Sequence, residues 1–120
     1  MYTDADLFAD GGTTLTTQGE QRLQQATPWL SGLLTHKGAE LVVVAYQDPK
    51  SPQAALAPVM TTRQCDAVCA YLREQRVNKI SLLSSREVKA LGLGTERPVV
   101  QLRDELPPSG VVLFVFVPQK

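Results

Sequence analysis

The sequence predicts an α/β fold: a two-layer sandwich of the βαβαβ type, in which helices pack on a mixed sheet of about four strands. Runs of consecutive apolar, β-branched residues alternate along the chain with segments whose apolar residues recur at helical spacing. Such alternation within one domain is typical of helices layered on a sheet. The 120 residues suit a single domain, 1–120, with enough chain to bury a sizeable core.

The N-terminal third predicts one short strand and one long helix. The strand lies around Leu7 and Phe8, before the turn signal "DGG". The helix opens at "LTTQGEQRL", where Thr16 or Thr17 can cap it and Thr17 with Glu20 fits a reciprocal capping box. Its apolar positions follow helical spacing: Leu23, Ala26, Leu30, Leu33 and Leu34.

Pro28 interrupts this helical pattern, because a proline has no backbone N–H to donate. The helix therefore either kinks at Pro28 or restarts, with Thr27 as the cap and Pro28 in the first position. "THKG" then ends the helix, since cations suit the negative end of the helix dipole and Gly38 can adopt a left-handed closing conformation. His36 is accordingly interpreted as a helix-terminus cation rather than a catalytic base.

The remainder of the chain predicts further strands and a second helix. "ELVVVAY" predicts a strand over 40–46, with Val42–Tyr46 covered on both faces because the run lacks polar alternation. After a proline-containing loop, a helix is expected from about Thr61 to Arg76. "KISLL" predicts the next strand, "SREVKALG" a short extra helix and "VVLFVFVP" the last strand. Residues 98–109 are expected to bridge to that last strand.

Composition narrows the function classes. Twelve basic residues balance twelve acidic ones, so the chain lacks the net positive charge that is typical of proteins that bind nucleic acid or anionic membranes. No apolar run approaches the roughly 18 residues that cross a bilayer, and "MYTDADLF" lacks the features of a signal peptide.

Cys65 and Cys69 lie one helical turn apart on an apolar face, which predicts unpaired, buried thiols. No catalytic set, metal cluster or phosphate loop is visible, so neither an enzyme nor a cofactor is expected.

Several motifs follow one another along nearly the whole chain. They are "DLFADGGTTLTTQGEQRL", the strand "VVVAYQD", the helix "MTTRQCDAVCAYLREQRV" and "GLGTERP", which runs from Gly92 to Pro98. In this order they resemble the OmpA-like C-terminal domain, the peptidoglycan-associating module of bacterial envelopes. The resemblance implies the same layered α/β fold.

The resemblance also implies a ligand site at the end of the strand 40–46. In that family, a strand-ending aspartate and a helix-start arginine clasp the zwitterionic end of diaminopimelate in the peptidoglycan stem peptide. A carboxylate accepts hydrogen bonds from the ligand ammonium, while a guanidinium binds the ligand carboxylate bidentately. Asp48 matches the family aspartate, and Thr61 matches the helix cap whose neighbouring backbone amides would complete the pocket.

Two residues compete for the position of the family arginine. Counting from Asp48 places Arg63 there, whereas counting from Thr61 places Gln64 there. In the second register the ligand carboxylate loses its bidentate partner, and the ligand motif is degraded. Asp48 has a second interpretation, as a carboxylate that hydrogen-bonds its own loop, and Arg63 has one as a solvated residue of the first helical turn.

Two functions are therefore expected from the resemblance. The first is a periplasmic domain that anchors an outer-membrane or periplasmic protein to the cell wall, itself tethered to the outer membrane by a segment absent from this chain. Its partners would be peptidoglycan and other envelope proteins, with no nucleic acid and no direct membrane insertion by this domain. The alternative is a degenerate scaffold or protein-interaction module of an envelope assembly, such as a secretion apparatus. The apolar loop "PQAALAPVM" favours this alternative, because it can form a contact surface.

Overall fold

The predicted fold class is confirmed by the computed structural model, which describes residues 2–9, 12–52, 54–79, 86–96 and 108–118. Four strands form one mixed sheet, and helices pack on it. The elements are β1 (Tyr2–Thr3), α1 (Asp4–Leu7), α2 (Thr17–Leu34), β2 (Glu40–Tyr46), α3 (Ala57–Glu74), β3 (Val88–Gly92) and β4 (Gly110–Phe116), with a 3₁₀ helix at Ala54–Leu56 before α3. In the part of the chain described, no helix is long and apolar enough to cross a membrane.

The sheet has the order β1-β4-β2-β3, with β2 at its centre. β3 is parallel to β2, so α3 forms the crossover connection that parallel neighbours require. β4 is antiparallel to β2 over the full length of both strands. β1 is much shorter and pairs only with the start of β4, through Tyr2 with Val111 and Thr3 with Gly110.

The core lies between the sheet and the helices. Leu41, Val43 and Ala45 are fully buried on one face of β2, in a cluster with apolar residues of α2 and α3. On the opposite face Val44 and Tyr46 are buried too, whereas Val42 is half-buried. The expected coverage of both faces therefore holds from Val43 to Tyr46 and weakens at Val42.

The structure decides between the alternatives for α2. Thr16 is the N-cap, and its hydroxyl oxygen accepts a hydrogen bond of 2.9 Å from the Gly19 N–H, so the capping box expected from Thr17 is wrong. Pro28 lies inside one continuous helix, so the alternative in which the helix restarts at Thr27 is wrong. The Thr27 hydroxyl donates to the Gln24 carbonyl at 2.8 Å, which is the acceptor that Pro28 leaves without its helical N–H.

The end of α2 agrees with the sequence. Gly38 has φ +76°, the left-handed conformation expected of it. Arg86 donates from Nε to the Leu34 carbonyl at 2.9 Å and thus satisfies one acceptor at the helix end. His36 lies exposed in the turn directly after α2.

Two local predictions are wrong. Leu7 belongs to α1 rather than to a strand, because Thr3 and Asp6 form a capping box that starts a helical turn; Phe8 alone bridges Leu15. Residues 88–92, expected as a short helix, form β3 because pairing with β2 outweighs local propensity. The predicted strand "KISLL" falls on residues of which only Lys79 is described, and most of the bridge 98–109 also lies outside the described residues.

Candidate functional site

The expected site depends on where α3 begins, and the helix does not begin at Thr61 as predicted. α3 begins at Ala57, and Leu56 is its N-cap without a side-chain hydrogen bond. Pro58 lies in the first turn, where its missing N–H costs nothing because those amides lack intrahelical acceptors. The helix therefore begins a full turn before Thr61, and the prediction that Thr61 caps it is wrong.

Thr61 has a structural partner on each side. It is fully buried, and its hydroxyl donates to the Ala57 carbonyl at 2.8 Å. The same oxygen accepts a hydrogen bond of 3.0 Å from the Gly94 N–H, in the turn after β3. Gly94 has φ +62°, which explains a glycine at this position of "GLGTERP". Thr61 thus joins this turn to α3 and does not present its hydroxyl to a ligand.

Gln64 is also fully buried and takes part in a polar cluster. Its Nε2 donates to the Gly12 carbonyl at 3.4 Å, and its Oε1 accepts from Gln47 Nε2 at 3.4 Å. Gln47, 4% exposed, donates from the same Nε2 to Asp4 Oδ2 at 2.6 Å. We call Asp4, Gln47 and Gln64 the amide–carboxylate cluster. It connects α1, the end of β2 and the middle of α3.

The carboxylate of this cluster is incompletely paired. Asp4 Oδ1 is buried and has no hydrogen-bond partner among the described residues. Burial raises the pKa of Asp4, while hydrogen bonding by the Gln47 and Gln64 side chains partly lowers it. The charged form of Asp4 is thus less favoured in the folded protein than in water.

Asp48 stabilises its own loop. Its Oδ1 accepts a hydrogen bond of 2.9 Å from the Lys50 N–H, the pattern of an Asx turn. Its backbone N–H donates to Ser109 Oγ at 2.8 Å, which connects the loop to the residue before β4. The second interpretation of Asp48, as a carboxylate that hydrogen-bonds its own loop, is therefore what the structure shows.

The four predicted site residues differ in their exposure to solvent. Arg63 is exposed on α3, whereas its neighbour Gln64 points into the interior. Between the described atoms of Asp48 and those of Thr61, Arg63 or Gln64, no hydrogen bond or ion pair is formed. Thr61 and Gln64 are thus buried, whereas the charged residues Asp48 and Arg63 are accessible to solvent.

An exposed apolar surface lies at the start of α3. Leu56 and Val59 are 65% and 55% exposed, and Ala55 and Pro58 beside them are exposed as well. We call these four residues the α3 apolar surface. Neighbouring apolar side chains that are exposed to water are typical of contact surfaces.

The two cysteines are unpaired and buried, as predicted. Burial raises the pKa of Cys65 and that of Cys69 to about 11. The Cys65 thiol donates toward the Val43 and Leu91 carbonyls at 3.4 Å each, so it packs between β2 and β3 as a weak donor. Within the described ranges, no three His, Cys, Asp or Glu side chains come together as metal ligands.

Sequence reasoning missed Gln47 and Asp4. The signal for Gln47 was present, since the period of two along β2 places it on the same face as Val43 and Ala45, toward the helices. Asp4 had no such signal, because its burial depends on α1, which the sequence did not predict.

A scan of protein-family models and a search of curated proteins each found no match to this chain.

Proposed function

We propose that this chain is an OmpA-like cell-envelope domain with a degraded diaminopimelate site, which acts as a scaffold or protein-interaction module. The proposed OmpA-like family is supported by the order in which its motifs follow one another along the chain. The mixed sheet with packed helices is the fold that the resemblance implies. The observation that carries the functional choice is the full burial of Gln64. In the register counted from Thr61, this buried side chain occupies the position of the ligand arginine, although Thr61 lies inside α3 and does not cap it.

A working clasp needs a guanidinium presented to solvent beside a free carboxylate. Gln64 is neutral, buried and hydrogen-bonded to Gln47 and Gly12. Arg63 is charged and exposed, but adjacent residues of an α-helix point about 100° apart, so it does not substitute for an inward-facing residue at 64. This arrangement supports a module that has kept the fold and lost the clasp.

The α3 apolar surface is the part of the domain that best suits a protein partner. Its exposed aliphatic residues, led by Leu56 and Val59, offer area that association would remove from water. Pro49 and Pro52 restrict the backbone before this surface and Pro58 restricts it within the surface, so binding would lose less conformational entropy there than in a flexible loop. We propose that this surface contacts other envelope proteins in the periplasm, in a parent protein tethered to the outer membrane.

A second candidate function is residual peptidoglycan binding. It is favoured by one observation: Asp48 is only half-buried and Arg63 is exposed, so both charges remain accessible to solvent. Without a bidentate guanidinium at position 64, the site lacks a charge-assisted pair of about 1.5–3 kcal/mol, which corresponds to a loss of roughly ten- to more than a hundredfold in affinity. In this form the domain would still anchor its parent protein to the cell wall, but weakly.

Co-sedimentation with isolated peptidoglycan separates the two candidates. We expect the purified domain to stay in the supernatant. Pelleting that Asp48→Ala and Arg63→Ala each abolish would overturn the proposal in favour of the second candidate. Pelleting that neither substitution changes would place binding outside the predicted site, and would also contradict a non-binding module.

The contact surface is tested separately, by capture of envelope proteins with matched variants. Val59→Asp introduces a charge into the α3 apolar surface, and Trp29→Asp does so at a similarly exposed residue of α2. We expect a partner that is retained by the wild type and by Trp29→Asp and lost with Val59→Asp. Equal retention by both variants would count against this surface.

A further inference from the structure

The edge of the sheet at β4 is largely uncovered in the described structure. β1 pairs with Gly110 and Val111 only, whereas β4 continues to Phe116. Among the described strands, none pairs with residues 112–116 on the side away from β2. An uncovered edge strand presents backbone N–H and C=O groups that can pair with another chain.

This edge lacks the charges that usually prevent such pairing. The segment 108–118 contains no charged residue. The opposite edge strand, β3, carries Lys89, which pairs with Glu40 at 3.3 Å and with Glu87 at 4.0 Å. Charged side chains on edge strands oppose edge-to-edge association, so β3 is protected in this way and β4 is not.

The end of β4 also exposes apolar side chains. Phe116 is 54% exposed and Val117 is 38% exposed. Phe114 and Phe116 lie on the same face of the strand, with ring centroids 6.4 Å apart. Because successive residues of a strand alternate between faces, these rings form an apolar strip along the uncovered edge.

We propose that two copies of this chain associate through their β4 edges, as antiparallel strands related by a two-fold axis. A two-fold contact requires a surface that complements itself, and an uncharged strand opposes no like charges when it pairs with a second copy. Opposite residues of a continuous sheet must share a face. A two-fold axis at Val115 meets this condition and places Phe114 opposite Phe116 of the second copy.

This register fits the rest of the domain. It uses positions 113–117, and so leaves Gly110 and Val111 to β1. Pro118 follows directly and, having no N–H, ends the ladder. It also brings the two pairs of phenylalanines together on one face, an arrangement in which cross-strand aromatic pairs stabilise a sheet.

Electrostatics does not oppose the contact. The residue beside Phe116 on β2 is Glu40, whose carboxylate already pairs with Lys89. No unpaired charge therefore approaches the second copy from this neighbour, and the formal net charge of zero gives no overall repulsion between copies. The strand contact involves roughly five residues per copy, against the 20–30 of a standard interface, so the dimer should be weak, with a dissociation constant in the micromolar range or above.

Sedimentation equilibrium from about 10 µM to about 1 mM tests the proposal. We expect a reversible monomer–dimer equilibrium for the wild type. Phe116→Glu should weaken it at least tenfold, because two carboxylates would then approach the phenylalanine pairs. Trp29→Glu is the matched control, since Trp29 is 59% exposed and lies on α2 rather than on a strand, and it should dimerise like the wild type. A wild type that stays monomeric throughout, or a dimer that Phe116→Glu leaves unchanged, would overturn the proposal.

Hydrogen exchange distinguishes this edge from the α3 apolar surface. At a concentration where about nine-tenths of the chains are dimeric, the edge-facing amides of residues 113–117 should exchange about tenfold more slowly than in the monomer. The corresponding amides of β3 should not change. A dimer without this protection, or one that Leu56→Glu abolishes and Phe116→Glu does not, would refute strand pairing at β4.

Discussion

Gly19 and Gly32 both lie in α2, but only Gly19 approaches another segment closely. A Cβ on Gly19 would overlap the carbonyl oxygen of Leu7 and lie 2.7 Å from the Leu7 Cα and 2.8 Å from its carbonyl carbon. Ordinary contacts begin near 3.4 Å, so the start of α2 and the end of α1 would have to separate. A Cβ on Gly32 would meet nothing within 4 Å. Replacing each glycine by alanine therefore separates a steric effect from a helix-propensity effect.

The magnitudes follow from the contacts. Separation at Gly19 would strain or break the hydrogen bond from the Thr16 N–H to the Leu7 carbonyl, now 2.9 Å long. Overpacking costs about 1–3 kcal/mol and a lost hydrogen bond about 1 kcal/mol, against a gain of about 0.5–1 kcal/mol for alanine in a helix. We expect Gly19→Ala to lower the free energy of unfolding by about 1–3.5 kcal/mol and Gly32→Ala to raise it by about 0.5–1 kcal/mol.

Urea denaturation followed by circular dichroism measures both changes. The midpoint of Gly19→Ala should fall well below that of the wild type, while the midpoint of Gly32→Ala should lie slightly above it. Equal stabilisation by the two substitutions would refute the close approach of α1 to α2. It would also remove support for the position of α1, on which the burial of Asp4 depends.

Four further predictions concern α2, two N-terminal carboxylates and the thiols. Pro28→Ala should raise the free energy of unfolding by about 1–3 kcal/mol in the same assay, because it restores a helical hydrogen bond to α2; a loss of stability would contradict the unstrained fit expected of alanine there. Burial raises the pKa of Asp4, so the cost of burying its charge grows as pH rises above about 4. Asp4→Asn should therefore gain stability relative to the wild type from pH 3 to pH 7. A stability difference between the two proteins that does not change with pH would refute this. A backbone hydrogen bond from Thr3 lowers the pKa of Asp6, so Asp6→Asn should show the opposite trend, with a loss that grows from pH 3 to pH 7. A thiol reagent at pH 8 should label neither cysteine in the folded protein and both cysteines after unfolding. With a pKa of about 11, only about one thiol in a thousand is ionised at that pH. Rapid labelling of the native state would contradict the burial of the thiols.

Periodicity predicted the elements whose stability comes from the core. β2 and most of α2 have apolar patterns that match their burial, β4 does so over its first three residues, and Gly38 signalled the end of α2 correctly. β3 could not be predicted in the same way, because its residues are mostly exposed and it forms by pairing along β2. The spacing of apolar residues indicates which positions are buried, but it does not indicate which strand will lie beside a segment.

The site was harder to predict because it depended on one helix boundary. "TTRQ" reads as a capping box, and this placed the helix start at Thr61. Pro58 and the 3₁₀ helix before it carry the true start back to Ala57, so Thr61 and Gln64 lie inside the helix and face the core. A shift of one turn thus changes two expected ligand residues into structural ones. Asp48 was placed correctly at the end of β2, but its hydrogen bond to Lys50 could be known only from the loop conformation.

The proposed function depends on the loss of the diaminopimelate clasp. Isothermal titration calorimetry with a diaminopimelate-containing muropeptide tests it most directly, on the wild type and on Asp48→Ala and Arg63→Ala. The account predicts weak or undetectable binding by all three proteins, because Gln64 is buried and Asp48 stabilises its own loop. Tight binding by the wild type that is lost in both Asp48→Ala and Arg63→Ala would contradict it, and would show that these two residues form the clasp in the register counted from Asp48.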